Sequence, residues 1–206
     1  MSKINQLVRK VYNFKLRKSL KNENITLISS NCVGACILND LGVRFNSPFV
    51  NLWIKPKDFL KICENLSYYM KQSLTFIQIK GIDYPVALLG DVSIYFQHYK
   101  SEKEAEECWN RRVKRMNLNH IYIYIYIYIC FTDRDGCTYE DLKRFDSLPY
   151  KNKIAFCHKD YPELKSTHYI KGFETEESVG QLMEFENKFT YKRRYDDFDF
   201  IKWFNK

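Results

Sequence analysis

The chain has little glycine or proline, 7 and 5 among 206 residues, so no long flexible linker is expected to divide it. It has no apolar run long enough to span a bilayer. It has no glycine-rich phosphate loop, which argues against ATP or dinucleotide chemistry. Its seven cysteines are odd in number and form neither a CxxC pair nor a ligand cluster, so no zinc site is expected. No other metal or cofactor is called for. The first residues, Met-Ser-Lys-Ile-Asn-Gln, show no secretory pattern. The expectation is a reduced, cytoplasmic protein with free thiols.

What is present is apolar and basic. Hydrophobic residues make up 45% and aromatics 17%, enough for a folded core. A net charge of +8 favours anionic partners. It does not choose among nucleic acid, phosphorylated sugars and anionic lipid, and an AT-rich gene would raise lysine on its own.

One stretch organises the rest. Ile25 to Ile28 reads as a buried strand, and Ser29, Ser30 and Asn31 can each cap a helix. Val33, Cys36, Ile37 and Leu41 then recur at helical spacing, and Gly42 ends the helix. With Asn31 as cap, Cys32 falls in the first turn, where free N–H groups and the helix dipole lower a thiol pKa. Cys32 is then either a nucleophile, the most reactive of the seven thiols, or a small buried hydrophobe.

Along the chain, residues 3–20 read as a basic amphipathic helix with Leu7, Val8, Val11, Tyr12, Phe14 and Leu16 apolar. Packing on the body is its expected use, and a peripheral membrane contact is the alternative. A helix follows Pro56 to about Gln72, and strands are expected at 74–79, 84–89 and 92–98. His98 closes the last of these on its apolar side. Ser101 and Glu104 form a capping box for a helix to about Met116. Arg111, Arg112 and Arg115 make that helix basic, with Trp109 on its apolar face. They either hold an anion or pair with Glu104, Glu106 and Glu107.

Residues 121–129 alternate Ile and Tyr without interruption. An AT dinucleotide run encodes this pattern, so slippage of such a run is one origin. The expected product is a long strand through Phe131, Ile inward and Tyr outward, overhanging its neighbours. An overhanging edge invites pairing, so a homodimer is a further expectation. Strand 121–131, helix 138–148 and strand 154–157 read as a βαβ unit. The tail is expected to hold helices near 175–187 and 196–205. The resulting fold class is α/β, a single domain over 1–206, with a mixed central sheet flanked by helices and a C-terminal βαβ unit. A basic helix occupies 1–22, the core 23–172 and a charged aromatic helical tail 173–206.

Several stretches together resemble a bacterial family of unknown function, domain of unknown function nineteen-nineteen, whose members are described as exopolysaccharide or capsule biosynthesis proteins. They are Ile28-Ser29-Ser30-Asn31-Cys32, Leu41-Gly42 through Asn46-Ser47-Pro48-Phe49, and Tyr84-Pro85-Val86-Ala87-Leu88-Leu89-Gly90-Asp91. His98-Tyr99-Lys100-Ser101, Trp109 with Arg111 and Arg112, and Phe131-Thr132-Asp133-Arg134-Asp135-Gly136 continue the pattern. The resemblance implies a setting of surface-glycan assembly. A remoter similarity joins the Asn-Cys start and the strand-borne His to papain-like cysteine peptidases. It implies Cys32 as nucleophile, His98 as base, and Asp91 or Asp133 as the group that orients the imidazole.

From the residues alone, each of these has a plainer reading. His98 can be a satisfied core histidine, Asp91 a turn residue, and Asp133 and Asp135 an Asx-type turn. Three functions follow as expectations. One is a papain-like cysteine transferase or hydrolase. The second is a glycosyltransferase-like enzyme that takes a sugar nucleotide at the Asp133-Arg134-Asp135 turn. The third is a non-catalytic assembly factor. The expected partner is an anionic glycan or sugar phosphate, not nucleic acid. Asn31, Ser47, Trp109, Arg111, Arg112, Arg115 and Asp135 are the expected binding residues.

Overall fold

The computed structural model describes residues 3–22, 24–116, 118–119 and 125–206. It is a mixed α/β domain, but its parallel and antiparallel strands lie in two sheets, not one. Helix α1 is Lys3–Ser19, strand β1 Thr26–Ser29 and helix α2 Val33–Leu41. Helices α3, Pro56–Glu64, and α4, Leu66–Tyr69, follow. Strands β2, Leu74–Ile77, β3, Val86–Leu89, and β4, Val92–Tyr95, precede α5, Glu102–Val113. Then come β5, Ile127–Thr132, α6, Tyr139–Ser147, β6, Asn152–Cys157, and β7, Thr167–Tyr169. A 3-10 turn, Arg194–Asp197, and α7, Phe200–Phe204, close the described chain.

The first sheet is parallel throughout, in the order β1-β5-β6-β7. The expected βαβ unit is present as β5-α6-β6, its helix opened by a capping box from Thr138 and Asp141. Both faces of this sheet are covered, as parallel sheets require. Along β5, Ile127, Ile129 and Phe131 enter one core with α3, α5 and α6. Tyr128 and Cys130 enter a second core with α2 and α7.

That arrangement corrects the reading of the Ile-Tyr tract. Its strand begins at Ile127, and Ile125 and Tyr126 are helical. Residues 120–124 lie outside the described residues. The strand runs between β1 and β6, so it is no overhanging edge. Tyr128 does not face outward: it is buried, edge-on to Trp203 and Phe204, and its hydroxyl donates to the Phe204 carbonyl.

The second sheet is the antiparallel meander β2-β3-β4. Gly90 and Asp91 make its two-residue turn, with Gly90 at φ 62° in the first position, where a side chain is strained. Residues 50–54 join the two sheets. Trp53 exchanges backbone hydrogen bonds with Tyr95 on β4, and the Ile54 N–H donates to Ser30 beyond β1. This clip holds the ends of β1 and β4 on either side of Trp53.

Helix α2 lies tightly on β1. A Cβ at Gly34 would sit 2.5 Å from the Ser29 Cβ, so only glycine fits. Gly42 ends the helix in the left-handed conformation, as expected. The tail departs from expectation. Residues 175–187 form turns instead of a helix, and the last helix is confined to Phe200–Phe204. The expected helix to Gln72 divides at Asn65 into α3 and α4.

Candidate functional site

Open α/β sheets place ligands beyond the carboxyl ends of their strands. A cavity of about 580 Å³ lies there, within the range of small-molecule sites. Its wall is built from Asn31 and Cys32 after β1 and Arg134 and Asp135 after β5. Trp53 of the clip, Tyr84 before β3, Gln97 and His98 after β4, and Gln181 and Met183 of the tail complete it.

Each wall residue is held by local chemistry. The Asn31 carboxamide accepts from the Val33 N–H and donates to Thr132 Oγ1 at 2.9 Å, tying the starts of two turns 101 residues apart. The Trp53 indole N–H donates to Asp135 at 2.9 Å. Asp135 itself is at φ 61°, a left-handed conformation that costs a non-glycine residue free energy and recurs at functional turns. Arg134 is half-buried and donates to the Gln181 carboxamide at 3.3 Å.

Cys32 and His98 do share this wall, although they are 66 positions apart. Their environments differ from expectation. Cys32 occupies the cap position and α2 begins at Val33. The first helical N–H groups are taken: Asn31 accepts from Val33 and the Ser29 hydroxyl from Gly34. The Cys32 thiol points instead toward the Leu52 carbonyl, 3.9 Å away. Burial, and to a lesser degree the neighbouring Cys36 thiol, push its pKa up to about 11 against the pull of Arg134. The expected lowering is not found, because burial of the thiol outweighs it. His98 is exposed in a turn after β4, not buried on the strand. Among the described residues no hydrogen bond joins it to Cys32.

Neither expected orienting group reaches His98. Asp91 stands at the opposite end of β4, a strand that alone spans about 13 Å. It is exposed and pairs with Lys61 and Tyr69, which hold its carboxyl below the usual range. Asp133 is buried and turned away from the cavity. It accepts from the His158 backbone N–H at 2.8 Å and the Val179 N–H at 2.8 Å, and bonds His158 Nδ1 at 2.5 Å. Its imidazole partner is therefore His158. Since Asp133 points inward and Asp135 outward, the two aspartates do not share one site.

Of the expected binding residues, Asn31 and Asp135 line the cavity and the others do not. Ser47 is buried and bonds the Leu27 carbonyl. Trp109 is in the core against Phe49 and Phe96. Arg112 is buried, donates to the Tyr99 hydroxyl at 2.6 Å and stacks over Phe45. Arg115 donates to the Phe45 carbonyl at 3.1 Å. Arg111 is exposed and bonds the Cys108 sulfur. Arg112 and Arg115 brace the loop around Phe45; the alternative pairing with Glu104, Glu106 and Glu107 is not seen among the described residues.

The wall residues that the sequence does not mark are Trp53, Tyr84, Gln97, Gln181 and Met183. Of the Asp133-Arg134-Asp135 turn, expected to take a sugar nucleotide, Arg134 and Asp135 line the wall and Asp133 does not. Gln181 and Met183 carry no signal, because nothing local marks a tail residue that folds back over a strand end.

The family described as Domain of unknown function (DUF1919) matches residues 3–205. The chain belongs to that family. It is also 48% identical over 204 residues to an uncharacterized protein of Haemophilus influenzae, a match that covers 99% of this chain and 95% of that one. Family membership therefore takes in both sheets and every wall residue of the cavity. No helix among the described residues is long and apolar enough to cross a membrane.

Proposed function

We propose that the cavity binds an anionic sugar, a sugar phosphate or sugar nucleotide, in surface-glycan assembly. Arg134 carries this reading. It is a half-buried guanidinium on the wall whose side-chain partner is the neutral Gln181, and it forms no ion pair among the described residues. Such a group suits a phosphate. Around it, Trp53 and Tyr84 offer ring faces, and Asn31, Gln97, Gln181 and Asp135 offer hydrogen bonds for hydroxyls. The glycan setting itself rests on the motifs that resemble exopolysaccharide and capsule proteins. Calorimetric titration with sugar 1-phosphates and nucleoside diphosphate sugars tests it. Saturable binding that weakens at least tenfold in Arg134→Gln is expected. Equal binding by that variant, or no heat from any of these ligands, would overturn the reading.

The shared wall of Cys32 and His98 favours a second reading, cysteine-dependent acyl transfer. It requires Cys32 to pass its proton to His98 as the sulfur attacks the acyl carbon of a donor, and His98 to give that proton to the leaving group as its bond to the acyl carbon breaks. Loss of turnover in both Cys32→Ala and His98→Ala, with ligand binding retained, would favour it over pure binding.

A further inference from the structure

Helix α1 is amphipathic in the reverse sense to that expected. Its buried side carries Arg9 and Asn13, with Tyr12 and Leu16 beside them. Arg9 bonds Asp40 and Asp196, and Asn13 bonds Asp40, so the helix is fastened through polar groups. The apolar residues face out. Ile4 is 72% exposed, Leu7 65%, Val11 51% and Phe14 57%, with Val8 between them. Their spacing at 4, 7, 8, 11 and 14 places them on one helical face.

The surroundings of this face are basic. Helix α1 contains no acidic residue, and Lys10, Lys15 and Lys18 are exposed on it. The Lys18 ammonium lies over the Phe14 ring, 4.6 Å from its centroid, so positive charge sits on the apolar face itself. A second element meets α1 between Asn5 and Tyr12. Asn5 donates to the Lys188 carbonyl and Arg9 to the Tyr191 carbonyl, and Tyr12 packs on the Tyr191 ring. These contacts fix a loop whose tip, Phe189, is 92% exposed between Lys188 and Lys192.

We infer that this face, the outer stripe of α1, docks on an anionic lipid bilayer. Apolar side chains framed by lysines are what an interfacial helix presents to acyl chains and anionic headgroups. A second copy of the chain is disfavoured as occupant, because a two-fold contact would set the same lysines against each other. The polar fastening explains how such a helix is held: ion pairs and hydrogen bonds anchor its inner side, which leaves its apolar residues for another partner.

Co-sedimentation of the full chain with vesicles tests this. Vesicles of phosphatidylcholine mixed with phosphatidylglycerol should retain the protein, and those of phosphatidylcholine alone should not. Retention should fall at high salt. Leu7→Ser with Phe14→Ser should lose it at least tenfold. Lys10→Gln, Lys15→Gln and Lys18→Gln together should weaken it by about a hundredfold, near fivefold per lysine. All five side chains are exposed, so the circular dichroism and thermal midpoint of both variants should match the parent. Retention by neither vesicle would overturn the inference. So would a stable dimer, seen by light scattering without vesicle binding, that Leu7→Ser with Phe14→Ser converts to monomer.

Discussion

Asp133→Asn should destabilise the protein and loosen one wall of the cavity, although Asp133 does not line it. The Asp133 carboxylate accepts on both oxygens: Val179 N–H on one, the His158 backbone and ring nitrogens on the other. An asparagine has a single acceptor oxygen. In its better orientation it keeps the two bonds to His158 and turns an NH₂ group toward the Val179 N–H. One hydrogen bond to a charged group is lost, at about 1.5–3 kcal/mol, and a buried N–H is left without an acceptor, so about 2–4 kcal/mol in all is expected. Asp133→Ala loses all three bonds and should cost more. Urea denaturation followed by circular dichroism measures the loss. Val179 leads into Gln181 and Met183, so sugar-phosphate affinity should fall as well. Asp135→Asn is the control. It is exposed, its amide oxygen can still accept from the Trp53 indole, and it should cost no more than about 0.5 kcal/mol. A loss under about 0.5 kcal/mol in Asp133→Asn would refute the reasoning.

Two further outcomes follow from charge and burial. With a thiol pKa near 11 instead of the ordinary 9.0, Cys32 should react with iodoacetamide about a hundredfold more slowly at pH 7 than a free thiol. Its rate should climb until the pH nears 11; a plateau below pH 8, read by mass spectrometry, would contradict this. The second concerns acid. Burial pushes the Asp40 carboxyl up, but hydrogen bonds from Tyr195 and Arg9 and the charges of Arg9 and Arg193 outweigh it and leave the pKa below 3.8. A carboxyl depressed in the folded state contributes stability above its ordinary value, and that contribution is lost as pH falls below 3.8. Thermal midpoints taken from neutral to strongly acidic pH should drop more steeply for the parent than for Asp40→Asn. Equal slopes would remove Asp40 from the account.

Much of the local structure was legible because it depends on neighbours in the chain. The Gly42 stop, the Gly90-Asp91 turn and the Ser101 cap rest on short-range hydrogen bonds and backbone conformation. The βαβ unit followed from two apolar runs and the helix between them. The candidate site was legible in part: Asn31, Cys32, His98 and Asp135 do meet. The roles of Asp91 and Asp133 were not legible, since composition cannot say which end of a strand faces a cavity or which way a turn carboxylate points.

By itself, then, the sequence determined periodicity, caps and breaks, which are properties of a few consecutive residues. Only the tertiary structure decided which faces are covered. Tyr128 is buried because β5 lies mid-sheet with helices on both sides, and the apolar side of α1 faces out because Asp40 and Asp196 hold Arg9 within. The strand order β1-β5-β6-β7 also decided the site. It sets Asn31 beside Thr132, and so gathers into one cavity residues whose separation along the chain carries no signal that they meet.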